Sequence, residues 1–244
     1  MDSLVLSKTG IYSRSELRYE IEEERGRITD ANFKRILQIL LKEGKLLRVG
    51  RNAYCASDGR MNYSYAYSDI SNRIADYITV NNPYLDFTIT EFVQLNEFVN
   101  HLIAHNIFFL YVESDLGDFL FEPLNQMFPG KVLLHPDLKT YDTYFSDNII
   151  IIQRLISQSP KDKKINWHSR IEKILVDLFS DPILKNIVTE SEYPRIFEGA
   201  FERYAIDENS LLRYAGRRGI KDEVLGFIRN ETDITLRTVE NDAE

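Results

Sequence analysis

Ala31, Lys34, Arg35, Gln38 and Lys42 are spaced so that a helix turning about 100° per residue gathers them on one face. Their chemistry suits a DNA major groove. Arginine can bridge the O6 and N7 atoms of guanine, glutamine can pair with adenine, and lysine neutralises phosphate. A small residue near the helix start permits close approach to the bases. Most helices carry a solvated polar face, so this face alone does not define a function. The next residues add to it. Lys45–Val49 reads as a strand, Gly50-Arg51-Asn52 as a tight turn and Ala53–Ala56 as the returning strand. Such a ribbon would bring Arg48, Arg51 and Asn52 to the DNA backbone or minor groove.

Other residues were weighed for catalysis and metal binding. Glu113, Asp115, Asp118 and Glu122 follow an apolar strand, where a metal-dependent nuclease could hold its carboxylates. Such an enzyme needs a lysine two residues after a carboxylate on a neighbouring strand. Asp137-Leu138-Lys139 has that spacing but follows Pro136 in a segment that reads as a loop. The Gly-Ser turn and Asp-x-Asp pair of a nucleotidyl transferase do not occur. His101 and His105 have an i, i+4 spacing that can hold zinc, but Leu102 stands where a zinc protease carries glutamate. Phosphate-binding glycine loops and the Gly-x-Ser-x-Gly elbow are absent. No catalytic residue, metal or cofactor is therefore expected. A second basic patch, Arg213, Arg217, Arg218 and Lys221, lies near a helix end, where cations complement the helix dipole or contact a second phosphate or an acidic partner.

The elements that must position these residues are legible mainly at the N-terminus. A helix from Ser13 to Glu24 opens with Ser13 and Glu16 as a capping box, and Leu17 and Ile21 form an apolar pair. A second helix begins at Thr29 or Asp30. Phe33, Ile36, Leu37, Leu40 and Leu41 form its apolar stripe, and Gly44 closes it. Helix, helix and ribbon in that order predict a winged helix over residues 1–57. A tyrosine-rich linker is expected over 58–74, with a turn at Asp58-Gly59, and a larger domain over 75–235. Within that domain, strands are expected near Leu85–Ile89, Ile107–Val112, Lys131–Leu134 and Asn148–Ile152. Helices are expected over 93–105, 115–128, from Trp167 onward, 194–205 and 210–230. The fold class is α+β, with an α/β middle, a helical C-terminal part and a disordered tail at 236–244.

Charge divides along the same boundary. Residues 1–60 hold 12 Lys and Arg against 9 Asp and Glu, while the remainder holds 18 against 29, for a net charge of −8. A basic module on an acidic body marks the module as the place for DNA contact. The longest apolar run, Ile107–Val112, is far below the ~20 residues of a membrane span. No signal peptide is recognisable, and the one cysteine, Cys55, reads as a buried inert thiol. These features predict a cytoplasmic protein.

Glu-Gly-Lys-Leu-Leu-Arg-Val-Gly-Arg-Asn-Ala-Tyr at Glu43–Tyr54 resembles the start of AbiEi-type proteins, the antitoxins of type IV toxin–antitoxin systems. Arg170-Ile-Glu-Lys-Ile-Leu-Val-Asp177 resembles their Glu-Lys-x-x-Val-Asp helix, while residues 75–165 depart from the family pattern. The resemblance implies a non-enzymatic autorepressor that binds its own promoter, with Lys34, Arg35, Gln38, Arg48, Arg51 and Asn52 at the DNA. It also implies a nucleotidyltransferase-like toxin countered by the larger part, without requiring a direct complex. A homodimer is expected on general grounds, since one winged helix gains affinity by pairing half-sites. Two other readings remain: a nuclease-like α/β enzyme addressed to DNA, and a protein-interaction scaffold.

Overall fold

The computed structural model describes residues 11–43, 45–50, 52–56, 60–100, 102–113 and 116–236, with Ile11, Val49 and Gly50 by backbone alone. Gly44, Arg51, the Asp58-Gly59 turn, His101, Asp115 and the tail after Leu236 lie outside the described residues. The fold is mixed α and β, as the sequence predicts. Among the described residues, no helix is long and apolar enough to cross a membrane.

The N-terminal module begins with strand β1 (Ile11–Ser13), which sequence reading did not identify. Helix α1 (Arg14–Arg25) is capped by Ser13 and Glu16 reciprocally, and helix α2 (Asp30–Lys42) is capped by Thr29. Strands β2 (Leu46–Gly50) and β3 (Ala53–Ala56) complete a three-stranded antiparallel sheet in the order β1-β3-β2. Alternation gives the sheet two apolar faces. Tyr12, Leu46 and Tyr54 pack with Leu17, Ile21, Phe33 and Leu37 under the helices. Leu47 and Cys55 point the other way, and Ala205 packs against them.

The larger part centres on a mixed sheet in the order β4-β5-β7-β6. Its strands are β4 (Phe87–Glu91), β5 (Ile107–Val112), β6 (Val132–Leu134) and β7 (Ile149–Arg154). β4 runs antiparallel to β5, while β5, β7 and β6 are parallel. Every side chain of β5 is buried, as expected of a strand covered on both faces. Phe108, Leu110, Ile150 and Ile152 face helices α3 (Asp69–Asn81) and α4 (Gly117–Met127). Ile107, Phe109, Tyr111, Ile149 and Ile151 face α5 (Leu138–Tyr144) and α6 (Ile171–Ser180). The rest of that core comes from α7 (Pro182–Ile187), α8 (Tyr193–Arg203), α9 (Glu208–Arg217) and α10 (Lys221–Glu231).

Several expectations are corrected. The expected linker contains the first turns of α3, and Tyr63, Tyr65 and Tyr67 before it are packed down. The carboxylate of Glu91, itself 1% exposed, accepts from Ser68 N, Ser68 Oγ, Ser71 Oγ, Tyr65 Oη and Asn106 Nδ2, which seats the start of α3 on the sheet. The helix expected over 93–105 is a single 3-10 stretch, Phe92–Glu97. Beyond it the Asn96 side chain bonds both the N–H and the carbonyl of Ile103, giving the backbone a non-helical alternative. The Asp137 segment opens α5 as its N-cap instead of forming a loop. The helix expected over 210–230 is broken at Gly219, whose φ of 74° suits glycine.

One buried polar network ties the helical layer together. The Lys173 ammonium forms an i, i+4 ion pair with Asp177 and sits 3.2 Å from the Tyr111 ring centroid. Asp177 Oδ1 accepts from Tyr214 Oη at 2.9 Å and lies 3.6 Å from Arg218 Nε, which donates to Ser180 Oγ at 2.6 Å. Burial pushes Lys173 down to about 8 against the pull of Asp177, so it is still cationic at neutral pH. Burial also pushes the Asp181 carboxyl up.

Two outcomes follow. Asp177→Ala strands Lys173, Tyr214 and Arg218 together and should cost about 3–5 kcal/mol of stability. Lys173→Met should cost less, because Asp177 keeps Tyr214 and Arg218. Denaturant titration of both variants measures this, and equal losses would remove Asp177 from the centre of the network. The second outcome concerns alkaline pH. Burial pushes Tyr141, Tyr193 and Tyr204 up to about 12, and it raises Tyr63, Tyr67, Tyr111 and Tyr214 as well. A phenol with a raised folded value stabilises the fold fully below about pH 10, and that share is lost as pH climbs through about 12. Lys173 acts oppositely, gaining stability between about 8 and 10.4, but it is one group against eight phenols once Tyr65, also raised by burial, is included. Phenolate absorbance should therefore rise in two steps, the second coinciding with loss of helical circular dichroism. Titration of all 14 tyrosines near pH 10 with the fold intact would contradict this.

Candidate nucleic-acid interface

The angle between α1 and α2 is set by Arg18. Its guanidinium pairs with Glu22 and Asp30 and donates to the Ile28 carbonyl at 3.0 Å, joining the first helix to the start of the second. Hydrogen bonds to Glu22 and Asp30 hold its proton more tightly than usual. Arg14 lies over the Phe33 ring at 5.0 Å and covers the other edge of that junction. Sequence reading missed both arginines: Glu22 stands at helical spacing from Arg18, but the partners that join the two helices, Asp30 and Ile28 for Arg18 and Phe33 for Arg14, lie across the turn.

With Phe33, Ile36, Leu37 and Leu40 buried, Ala31, Lys34, Arg35, Gln38 and Lys42 are left exposed on α2 as the 3.6-residue period requires. The acid at the start of α2, Asp30, is engaged by Arg18, so the exposed face carries only cationic and neutral groups over Ala31–Gln38. Glu43 at the far end is paired with Lys45.

The ribbon projects beside that helix. Arg48 lies opposite Tyr54 in the antiparallel register, so its side chain leaves the sheet on the face that α1 and α2 cover. It is exposed there, next to the turn at Asn52, which is exposed and adopts a φ of 58°. Asparagine tolerates that left-handed conformation better than most residues. The structure thus brings Lys34, Arg35, Gln38, Lys42, Arg48 and Asn52 into one module; Arg51, between Gly50 and Asn52, lies outside the described residues.

The opposite face of the ribbon is occupied. β2 packs against α9, and Leu47 and Cys55, both under 5% exposed, close that contact with Ala205. The sheet therefore lies between its own helices and the C-terminal part. Cys55 is a packing residue at this seam.

The second basic patch does not form one surface. Arg218 turns inward to Asp177 and Ser180, with its side chain 13% exposed. Arg217 and Lys221 are exposed at the end of α9 and the start of α10. Arg213 opens instead towards Lys161 and Arg170. The candidate acids also separate. Glu113 is exposed at the end of β5, Asp118 and Glu122 are exposed on α4, and Asp115 lies outside the described residues. Among the described residues, no group of three His, Cys, Asp or Glu side chains is placed to hold a metal ion. Of the expected His101–His105 pair, His101 lies outside the described residues, and His105 stands outside any helix and faces Asp147. The Arg170–Asp177 stretch is α6 itself. Its Glu172 is fully buried, accepting from Arg170 Nη2 at 2.6 Å and from the Asp207 backbone N–H at 2.8 Å.

Among solved structures, the chain is similar to RV2827C protein from Mycobacterium tuberculosis, with 10% identity over 93% of this chain and 78% of that one. The TM-score is 0.23, a likeness too low to carry any argument. No curated protein matches the chain. Residues 32–234, from α2 to beyond α10, match a family of unknown function (DUF6577), and the protein belongs to that family.

Proposed function

We propose that this protein is a duplex-DNA-binding regulator that reads the major groove with α2 and reaches the flanking backbone with the β2–β3 ribbon. The observation that carries this reading is the direction of α2. Lys34, Arg35, Gln38 and Lys42 face outward, while the far side of the sheet behind them is seated on α9. Groove entry needs a protruding helix whose charged face is not covered by the rest of the chain, and this arrangement supplies one. The AbiEi resemblance extends the proposal. The DNA would be the protein's own promoter, and the larger part would counter a nucleotidyltransferase-like toxin as an antitoxin, without enzymatic activity and in the cytoplasm.

Titration of the upstream duplex against a scrambled one, across a salt series, tests the DNA reading. Selective binding should weaken steeply with salt. Lys34→Ala should weaken both duplexes and reduce the logarithmic salt slope by about 0.9. Arg35→Ala and Gln38→Ala should each cost about 1–3 kcal/mol on the upstream duplex and narrow its advantage over the scrambled one. Absence of selective binding at low salt would overturn the proposal. Co-expression with a nucleotidyl transferase encoded beside it should relieve that toxin's growth arrest, and continued arrest would remove the antitoxin half.

A further inference from the structure

The parallel strands end on a cleft that the DNA reading does not use. β5 and β7 are neighbours, yet their connections diverge. The chain leaves β5 for α4 on one face of the sheet and leaves β7 for α6 on the other. A crevice opens beyond the carboxyl ends of two strands whose connections part in this way, and ligands of α/β sheets bind in that place. Here the crevice is continuous with a hollow of about 490 Å³ lined by Gln158, Ser159, Lys161, Arg170, Ser210 and Arg213. An adjoining hollow of about 710 Å³, which shares Gln158, Ser159 and Lys161, adds Arg154, Asp86 and Glu113.

The charge of this lining runs against the rest of the domain. Residues 61–244 are strongly acidic, yet the first hollow presents three cations and no carboxylate on its wall. Lys161 is paired with Asp86, and Arg170 with the buried Glu172 beneath it. Arg154 and Arg213 are exposed, and neither forms an ion pair among the described residues. Two further features mark a built site. Gln158, which lines both hollows, holds a φ of 62°, a conformation costly for a non-glycine residue and concentrated at ligand sites. Ser159 is nine-tenths buried, and its Oγ makes no hydrogen bond of normal geometry; the nearby Tyr214 hydroxyl gives its proton to Asp177.

We infer that this cleft binds a small phosphate monoester, with the phosphate held by Arg213, Arg170 and Lys161 and within reach of the Ser159 hydroxyl. Guanidinium groups offer paired donors that match phosphate oxygens, and the Ser159 hydroxyl, beside Tyr214 Oη but without a hydrogen bond of normal geometry, can turn its proton to a phosphate oxygen. The volume suits a ligand of mononucleotide size and is far too small for duplex DNA. The inference is independent of the DNA reading, since its residues lie on the loop after β7, at the N-cap of α6 and on α9.

Amide NMR titration of the full chain tests it, with inorganic phosphate, AMP and adenosine as probes at constant ionic strength. Phosphate and AMP should shift the amides of Gln158, Ser159 and Arg213 with millimolar or tighter affinity, and adenosine should not. Arg213→Gln and Arg154→Gln replace exposed, unpaired cations and leave the buried network intact. Arg213→Gln should weaken AMP binding at least about tenfold, whereas Arg217→Gln, four residues along α9, should leave it unchanged. Equal binding of adenosine, equal loss with Arg217→Gln, or no shift at the cleft would overturn the inference. Loss of duplex binding by Arg213→Gln in parallel with loss of AMP would also overturn it, by assigning the cleft to the DNA path. Lys34→Ala should leave AMP binding unchanged, so failure of the DNA reading and failure of this one are separable.

Discussion

A single buried carboxylate, Asp177, connects most of what this chain does with its shape. Placing a charge 1% exposed inside a protein is unfavourable unless every lobe of it is answered. The answers come from Lys173 one turn earlier and from Tyr214 and Arg218 on the α9 segment. α9 cannot slide or rotate against α6 without unpairing that acid. Its fixed position matters because other surfaces of the same helix serve both candidate sites. One packs against β2 and so seats the winged module, and another carries Arg213 into the cleft.

The winged module was largely legible in the sequence because its signals are local. A capping box spans two intervening residues, and the stripe of α2 repeats within one helix. β1 escaped notice because three residues carry no period, and its existence depends on β3 forty residues later. The start of α3 was hidden for a related reason. Ser68 supplies no side-chain cap of its own, and the group that orders this helix start is Glu91 from the edge strand. In the opposite direction, 93–105 has helix-like apolar spacing, yet Asn96 diverts the backbone after one 3-10 stretch. Periodicity reports what a segment would do alone, and long-range polar partners overrule it.

The candidate sites divide along the same line. The reading face of α2 is one helix, so its residues are recognisable from spacing. The cleft collects cations from 154–161, 170 and 213, which no window joins, and its charge adds only in space. The basic run at Arg213–Lys221 was visible but misleading, since Arg218 serves the interior and Arg213, unlike Arg217, lines the cleft. A run of like charges along a helix is a statement about sequence; exposure and pairing decide which of them face a ligand.

The acidic body poses a physical problem for DNA binding that the geometry addresses. With 29 acids against 18 bases, residues 61–244 repel phosphate. At physiological ionic strength such repulsion decays over about 8 Å, which is less than the ~10 Å diameter of one helix. Between α2 and the body stands a whole sheet, with α9 on its far side. A duplex seated on α2 as proposed would have that sheet between it and the acidic body, while one misaligned towards the body would meet the carboxylates. Under the proposed DNA reading, that arrangement would give up some non-specific affinity and leave binding dependent on the few residues that enter the groove. On the proposed reading, an acidic carrier for a basic head would favour selectivity provided the head is held in place, and the packing of Leu47 and Cys55 with Ala205, and of β2 with α9, is the contact that holds it.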